Sequence, residues 1–234
     1  MKVKSNFLSG VISGIPVGLG YLSVSFAFGI MAVRSGLTSF QAVIISLTNL
    51  TSAGQVGGVD IIAAGGSLLE MAAVQFMINL RYSLMGLSLS QNLDSSFTLP
   101  HRLAAAYGIT DEIFALCSTH KEPIKPAYMY GTIFIAASGW VGGTLIGAAA
   151  GEVLPPSVTA SLGIVIYGMF IAIFIPPSVK HKSIFFVVIS AALLSIALRI
   201  FLPSISVGFS VIICGLISSV AGAVIFPKTE EEES

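Results

Sequence analysis

Charged side chains are scarce in this sequence: Asp, Glu, Lys and Arg together make up 9% of its 234 residues, where a soluble domain carries about 25%. Such a chain cannot cover itself in water, and the hydrophobic share of 55% points to the lipid bilayer as its solvent. The formal net charge is zero, and no basic stretch interleaved with aromatics occurs, so the electrostatic footprint that nucleic acid requires is missing. Cysteine is nearly absent as well. Cys117 and Cys214 both fall in apolar stretches, which reads as two packed thiols and not as a disulfide framework. The three histidines, His101, His120 and His181, sit at segment ends without the Cys, His or carboxylate spacing of a metal site, so no metal or other cofactor is expected. Neither HExxH nor GxSxG occurs, and Gly57-Gly58-Val59-Asp60 does not fit a GxGD protease pattern. An enzyme is not expected.

What is present is a series of long apolar runs. A span needs about 20 mostly apolar residues, and candidates lie at 10–32, 39–64, 67–90, 127–150, 157–176, 183–202 and 205–226. A weaker stretch at 102–118 is apolar but interrupted by Asp111 and Glu112. If it crosses, Lys2, Lys4, Lys121, Lys125, Lys180, Lys182 and Lys228 share one side, as the positive-inside rule asks of the cytoplasm. The expectation is therefore an all-α polytopic integral membrane protein with about eight transmembrane helices, some of them discontinuous, and both termini cytoplasmic. Seven crossings are the alternative. The whole of 1–234 reads as one transmembrane domain, with 227–234 as an acidic cytoplasmic tail.

Gly10, Gly14 and Gly18 recur every four residues, and Gly139, Gly143, Gly147 and Gly151 do the same, giving smooth faces for close helix packing. A repeat of the first half in the second is possible, parallel with eight crossings and inverted with seven. The 39–64 segment is interrupted by Asn49, Thr51, Ser52, Gly54, Gln55, Gly57, Gly58 and Asp60. Such a run should unwind, and unwound backbone at membrane depth is tolerated only beside protein or a water-filled cavity. A long tilted helix with small packing residues is the other reading. Pro16 removes a backbone donor and should kink or break the first helix; Gly57 and Gly58 are the matching break in the second. Gly54 and Gln55 then become candidates for substrate contact.

Glu70, Arg81, Asp111 and Glu112 stand in or beside apolar segments, where an ionisable side chain costs about 2.5–3.5 kcal/mol on insertion scales. Glu70 and Arg81 lie roughly 16 Å apart along one helix and cannot pair. Arg81 should pair with Asp111 or Glu112. That pair either locks two helices or belongs to transport, with Asn79 and Arg81 as substrate-binding residues and Asp111, Glu112 and Glu70 as ion-coupling carboxylates.

The residues GIPVGLGYLSVSFAFGIMAVRSGLTSFQA at 14–42, SAGQ at 52–55, NLRYSLMGLSLS at 79–90 and ITDEIFAL at 109–116 resemble the AzlC family, the large subunit of branched-chain amino-acid exporters. The resemblance covers roughly 7–120. It implies export of branched-chain and similar hydrophobic amino acids, a small membrane partner of the AzlD type, and residence in a bacterial inner or cytoplasmic membrane. Family members often carry a fuller FAGS-like sequence before the glutamine, where this chain reads TSAGQ and then VGG, so substrate preference does not follow from it. A channel, or a scaffolding subunit without active transport, is the competing class.

Overall fold

The computed structural model describes residues 6–120, 122–155, 157, 158, 168, 171 and 174–227. Among them the helices are α1 (Phe7–Arg34), α2 (Ser39–Thr48), α3 (Ser52–Ala63), α4 (Leu68–Ser90), α5 (Leu99–Ala106), α6 (Asp111–Ser118), α7 (Pro126–Val153), α8 (Lys182–Phe201) and α9 (Val207–Ile225). No strand occurs among the described residues. Among the described residues four helices, α1, α7, α8 and α9, are long and apolar enough to cross a membrane. The candidate span at 157–176 lies largely outside the described residues, as does the acidic tail beyond Pro227.

The helix ends follow from local sequence. Asn6 and Ser9 form a reciprocal capping box at the start of α1, and Thr38 and Gln41 form another at the start of α2, each meeting backbone donors that the first turn leaves free. Gly36, at φ 93°, ends α1, with Leu37 N donating to Ala32 O and Gly36 N to Val33 O. Gly65, at φ 66°, ends α3 in the same way, through Gly66 N to Ile61 O and Gly65 N to Ile62 O. Both are Schellman motifs, in which only glycine takes the left-handed position without strain. Pro16 does not break α1, which runs its full 28 residues around it. One lost hydrogen bond is too little to open a helix when lipid offers the freed groups no alternative partner.

The chain clusters into two compact units. One takes the described residues through Val59 and from Ile78 through 158; the other takes Asp60–Met77 and those from Gly168 onward. The first is organised by α1 and α7, which lie in contact along their whole length. A Cβ on Gly139 would stand 2.1 Å from Gly18 O, one on Gly143 2.3 Å from Leu22 O, one on Gly147 2.0 Å from Phe26 O, and one on Gly151 3.2 Å from Ile30 Cα. Both members of each pair advance together, so α1 and α7 are parallel. Without side chains at these positions the backbones approach closely, the device that holds helices together where no hydrophobic effect drives them. Beside this seam a core of Tyr21, Trp140, Tyr128, Ile113, Cys117 and Ile124 closes over the shorter helices.

The parallel pair supplies a depth scale. The 102–118 stretch does not cross it. Asp94 N donates to Ile124 O and Ile124 N to Asn92 O, both at 2.9 Å, which ties the loop before α5 to the loop before α7. His101, in α5, lies 2.8 Å from Tyr130 Oη, and His120, just after α6, stacks at 4.5 Å on Tyr128. Both ends of α5–α6 therefore sit at the N-terminal end of α7, and the expected fourth crossing is a helical hairpin that enters and leaves on one side. Its halves are eight residues each, about 12 Å, against a hydrocarbon core of about 30 Å. This also corrects the count for the preceding stretch. The chain leaves α1 at the far end of α7, where Gly151 meets Ile30, and α4 ends beside Ile124. Residues 35–93 therefore make one net passage, so 39–63 and α4 do not both cross.

In the second unit α8 and α9 form an antiparallel hairpin. Phe186 and Phe226 rings stand 5.8 Å apart, and Val187 fills the space over Gly222. No residue of α8 is buried, as suits a helix whose surroundings are lipid.

Candidate functional site

The first half-spanning element is α2. Its N-terminal Ser39 hydroxyl donates to Glu152 near the C-terminal end of α7. Deeper in, Ser46 Oγ and Thr144 Oγ1 are 2.7 Å apart and buried. The helix stops at Thr48, and Asn49, Leu50 and Thr51 form the break before α3. A helix that ends inside a protein leaves carbonyls without donors, and Gln55 supplies them. Its Nε2 donates to Ile45 O at 3.2 Å and to Asn49 O, while its Oε1 accepts from Trp140 Nε1 at 2.8 Å. Gln55 is 1% exposed with both amide hydrogens engaged, so its occupation is holding the broken end of α2 against α7. Gly54 is buried next to it, and Gly57 and Gly58 lie inside α3. The chain does break here, but about two turns before those glycines. Asparagine and threonine, which bond to nearby backbone, release the helix: Asn49 Oδ1 accepts from Thr51 N at 3.0 Å.

From the other side come α5 and α6, interrupted at 107–110. Gly108 packs so closely on Ile133 that a Cβ would stand 2.4 Å from its Cγ1. Thr110 caps α6, accepting from Ile113 N. The two interruptions meet: Tyr107, at the break of α5–α6, donates its hydroxyl to Leu47 O in the last turn of α2 at 2.6 Å. Two half-length helices entering from opposite ends of α7 thus touch at the level of Ile133 to Trp140.

Charged groups gather at the same depth. Arg81 Nη2 of α4 pairs with Asp111 Oδ2 at 3.1 Å and donates to Tyr82 Oη at 3.1 Å. Its guanidinium carbon lies 4.9 Å from the Tyr82 ring centroid, and Arg81 Nε is buried without a hydrogen-bond partner among the described residues. The two side chains of the pair remain 40% and 32% exposed, so the pair is reachable and not sealed. Glu112 takes a different partner, the hydroxyl of Tyr21 on α1, which also lies 2.6 Å from Thr110 Oγ1. Tyr21 in turn stands edge-on to Trp140, with centroids 5.2 Å apart. Asn79 is half-buried two residues before Arg81 on α4.

Glu70 lies in the other unit and is not part of this group. Its carboxylate accepts from Ser206 Oγ and, at 2.9 Å, from Gly208 N, so it caps the first turn of α9, where backbone donors and the helix dipole favour a negative charge. Reasoning from sequence missed Tyr21, Tyr107, Thr110 and Trp140. The signal for Trp140 was there: it is the only tryptophan and sits in a glycine-lined helix that has no need of bulk.

Comparison with known proteins agrees with this membrane architecture. The "AzlC protein" family model matches residues 16–154, which hold most of α1, all of α2 to α7 and every residue of the site. The inner membrane protein YgaZ of Escherichia coli K12 is 29% identical over 228 residues, covering 94% of this chain and 92% of YgaZ. An uncharacterized membrane protein of Archaeoglobus fulgidus is 28% identical over 178 residues, 75% of this chain and 78% of its own. The branched-chain amino acid transport protein AzlC of Bacillus subtilis 168 is 23% identical over 184 residues, 77% and 71% of the two chains. No solved structure matches. With more than half of its length matched by the family model, the chain belongs to the AzlC family of membrane proteins.

Proposed function

We propose that the chain is the membrane-embedded carrier of an exporter for branched-chain or similar hydrophobic amino acids. In this reading it is driven by an ion gradient, assisted by a small membrane subunit of the AzlD type, and resides in a bacterial inner or cytoplasmic membrane. The observation that carries the reading is the meeting of two interrupted helices at mid-depth beside the accessible Arg81–Asp111 pair. Interrupted helices present free carbonyls and free amides to a solute without exposing them to lipid. The ion pair offers what a zwitterion needs, a guanidinium for the carboxylate and a carboxylate for the ammonium group. The Bacillus subtilis relative, named a branched-chain amino acid transport protein, supports the substrate class. Lys125 lies at the start of α7 and Arg34 at the opposite end of the α1–α7 pair, and Lys2 and Lys4 precede α1 in the sequence, which favours a cytoplasmic N-terminus.

The test is efflux of labelled valine or isoleucine from preloaded cells carrying Arg81→Met with Asp111→Leu. Removing both charges avoids leaving one uncompensated, so a purely structural pair would tolerate the change. Loss of efflux with unchanged membrane abundance is expected; efflux at the unaltered rate would overturn this site. A channel is separated by adding unlabelled amino acid outside, which accelerates efflux through a carrier and leaves a channel unaffected.

A further inference from the structure

The two adjacent carboxylates of α6 are held in opposite ways. Asp111 faces the cation of Arg81 at 3.1 Å, whereas Glu112 faces the neutral hydroxyl of Tyr21. The groups near Glu112 that carry or can acquire charge are Tyr21 on α1, Tyr82 on α4 and Asp111 on its own helix. Among the described residues Arg81 forms its ion pair with Asp111 and Glu112 forms none. The positive end of α6 offsets part of its charge, since a helix terminus is worth about half a charge.

The hydrogen-bond directions around Tyr21 are fixed by counting protons. Ile113 N–H donates to Thr110 Oγ1 at 3.4 Å, so Thr110 keeps its own hydroxyl proton to give. The phenol has one proton, and an ionised carboxylate has none. Tyr21 accordingly donates to Glu112, and Thr110, at 2.6 Å, donates to the phenol oxygen. The chain of donors ends on Glu112, and Tyr21 favours its charged form. A proton arriving on Glu112 settles on one oxygen and leaves the other as a neutral acceptor, so the hydrogen bond from Tyr21 that links α1 to α6 loses its charge assistance and weakens.

We propose that Glu112 is the residue that takes up and gives up the proton coupled to transport, that Tyr21 is the positioning residue holding its charged form, and that Asp111 is instead the fixed partner of Arg81. This rests on the carrier reading above and deepens it. The step is a proton transfer alone: a proton from the aqueous phase on one side forms an O–H bond on Glu112 and breaks it on the other, and no redox partner is required. A metal cation is disfavoured at this carboxylate, because hard cations need several oxygen ligands at once and one oxygen of Glu112 is already taken by a donor.

The experiment uses the full chain in proteoliposomes with labelled leucine, in two modes. Net flux driven by a pH gradient requires the proton to be released; exchange of labelled for unlabelled leucine at equal pH does not. Glu112→Gln should lower net flux at least tenfold while keeping exchange within about threefold, since glutamine still accepts from Tyr21. Tyr21→Phe should change the pH dependence of net flux relative to the unaltered chain, a readout that a merely structural tyrosine would not move. Gradient-driven flux at the unaltered rate in Glu112→Gln would overturn the proposal. So would an uncoupled phenotype confined to Asp111→Asn, or an unaltered chain driven by a sodium gradient and indifferent to pH. Absence of leucine exchange in the unaltered chain would instead overturn the carrier reading itself.

Discussion

Adding one methyl group at Gly139 tests whether the α1–α7 seam holds the first unit together. A Cβ there would lie 2.1 Å from Gly18 O, 2.8 Å from Gly18 C and 3.0 Å from Gly18 Cα, all backbone atoms that no rotamer change can move. Ordinary carbon–oxygen approach between helices is about 3.3–3.6 Å, so the helices must part locally by roughly 1 Å. A gap of that size forfeits about a quarter to a half of each dispersion contact along the seam, and overpacked sites cost about 1–3 kcal/mol. Gly142 is the internal control, since nothing lies within 4 Å of its added Cβ. Alanine has the higher helix propensity, by up to about 1 kcal/mol, and both variants receive that benefit. Gly142→Ala should be neutral or slightly stabilising, and Gly139→Ala should be the less stable of the two by about 1–3 kcal/mol. Thermal unfolding in detergent, followed by a thiol-reactive dye at the fully buried Cys117, reads the difference. Equal midpoints for the two variants would refute the seam as a close-packed backbone contact.

The α5–α6 hairpin predicts that single cysteines replacing Ser95 and Glu122 react with a membrane-impermeant thiol reagent from the same side; reaction from opposite sides would restore a crossing for 102–118. Trp140→Phe removes the donor to Gln55 Oε1 and leaves that buried oxygen unpaired, a cost of about 1–3 kcal/mol, measurable as a lowered unfolding midpoint with transport reduced in parallel.

The long helices were legible in the sequence because lipid leaves backbone groups no alternative to internal hydrogen bonds, so an apolar run of sufficient length reads directly as a helix. The glycine faces of α1 and α7 were legible as packing surfaces, although nothing in their spacing says that they pack on each other. The pairing of Arg81 with a carboxylate of α6 followed from the cost of an isolated buried charge, and Asp111 is the partner. The path of 102–118 was not legible. Lysine positions count sides of the membrane, and a hairpin that returns is invisible to them when its halves have the composition of one weak span. Tyr21 and Tyr107 were missed for a related reason: each acts through a hydroxyl on another element, 91 residues away for Glu112 and 60 for Leu47, and no local pattern marks such a partner.

The parallel pairing of α1 with α7 has a consequence for how the protein is made. Gly18 enters the bilayer long before Gly139 is synthesised; at about 5–20 residues per second the delay is roughly 6 to 24 s. Throughout that interval α1 stands among lipids, or against the insertion machinery, with its groove of bare backbone unfilled. The helices made meanwhile include both half-length segments, whose interrupted ends have no finished wall to close against until α7 arrives. Assembly of the site is thus postponed to the completion of one late helix, and a nascent chain stopped before residue 126 would be an open, aggregation-prone substrate for membrane quality control.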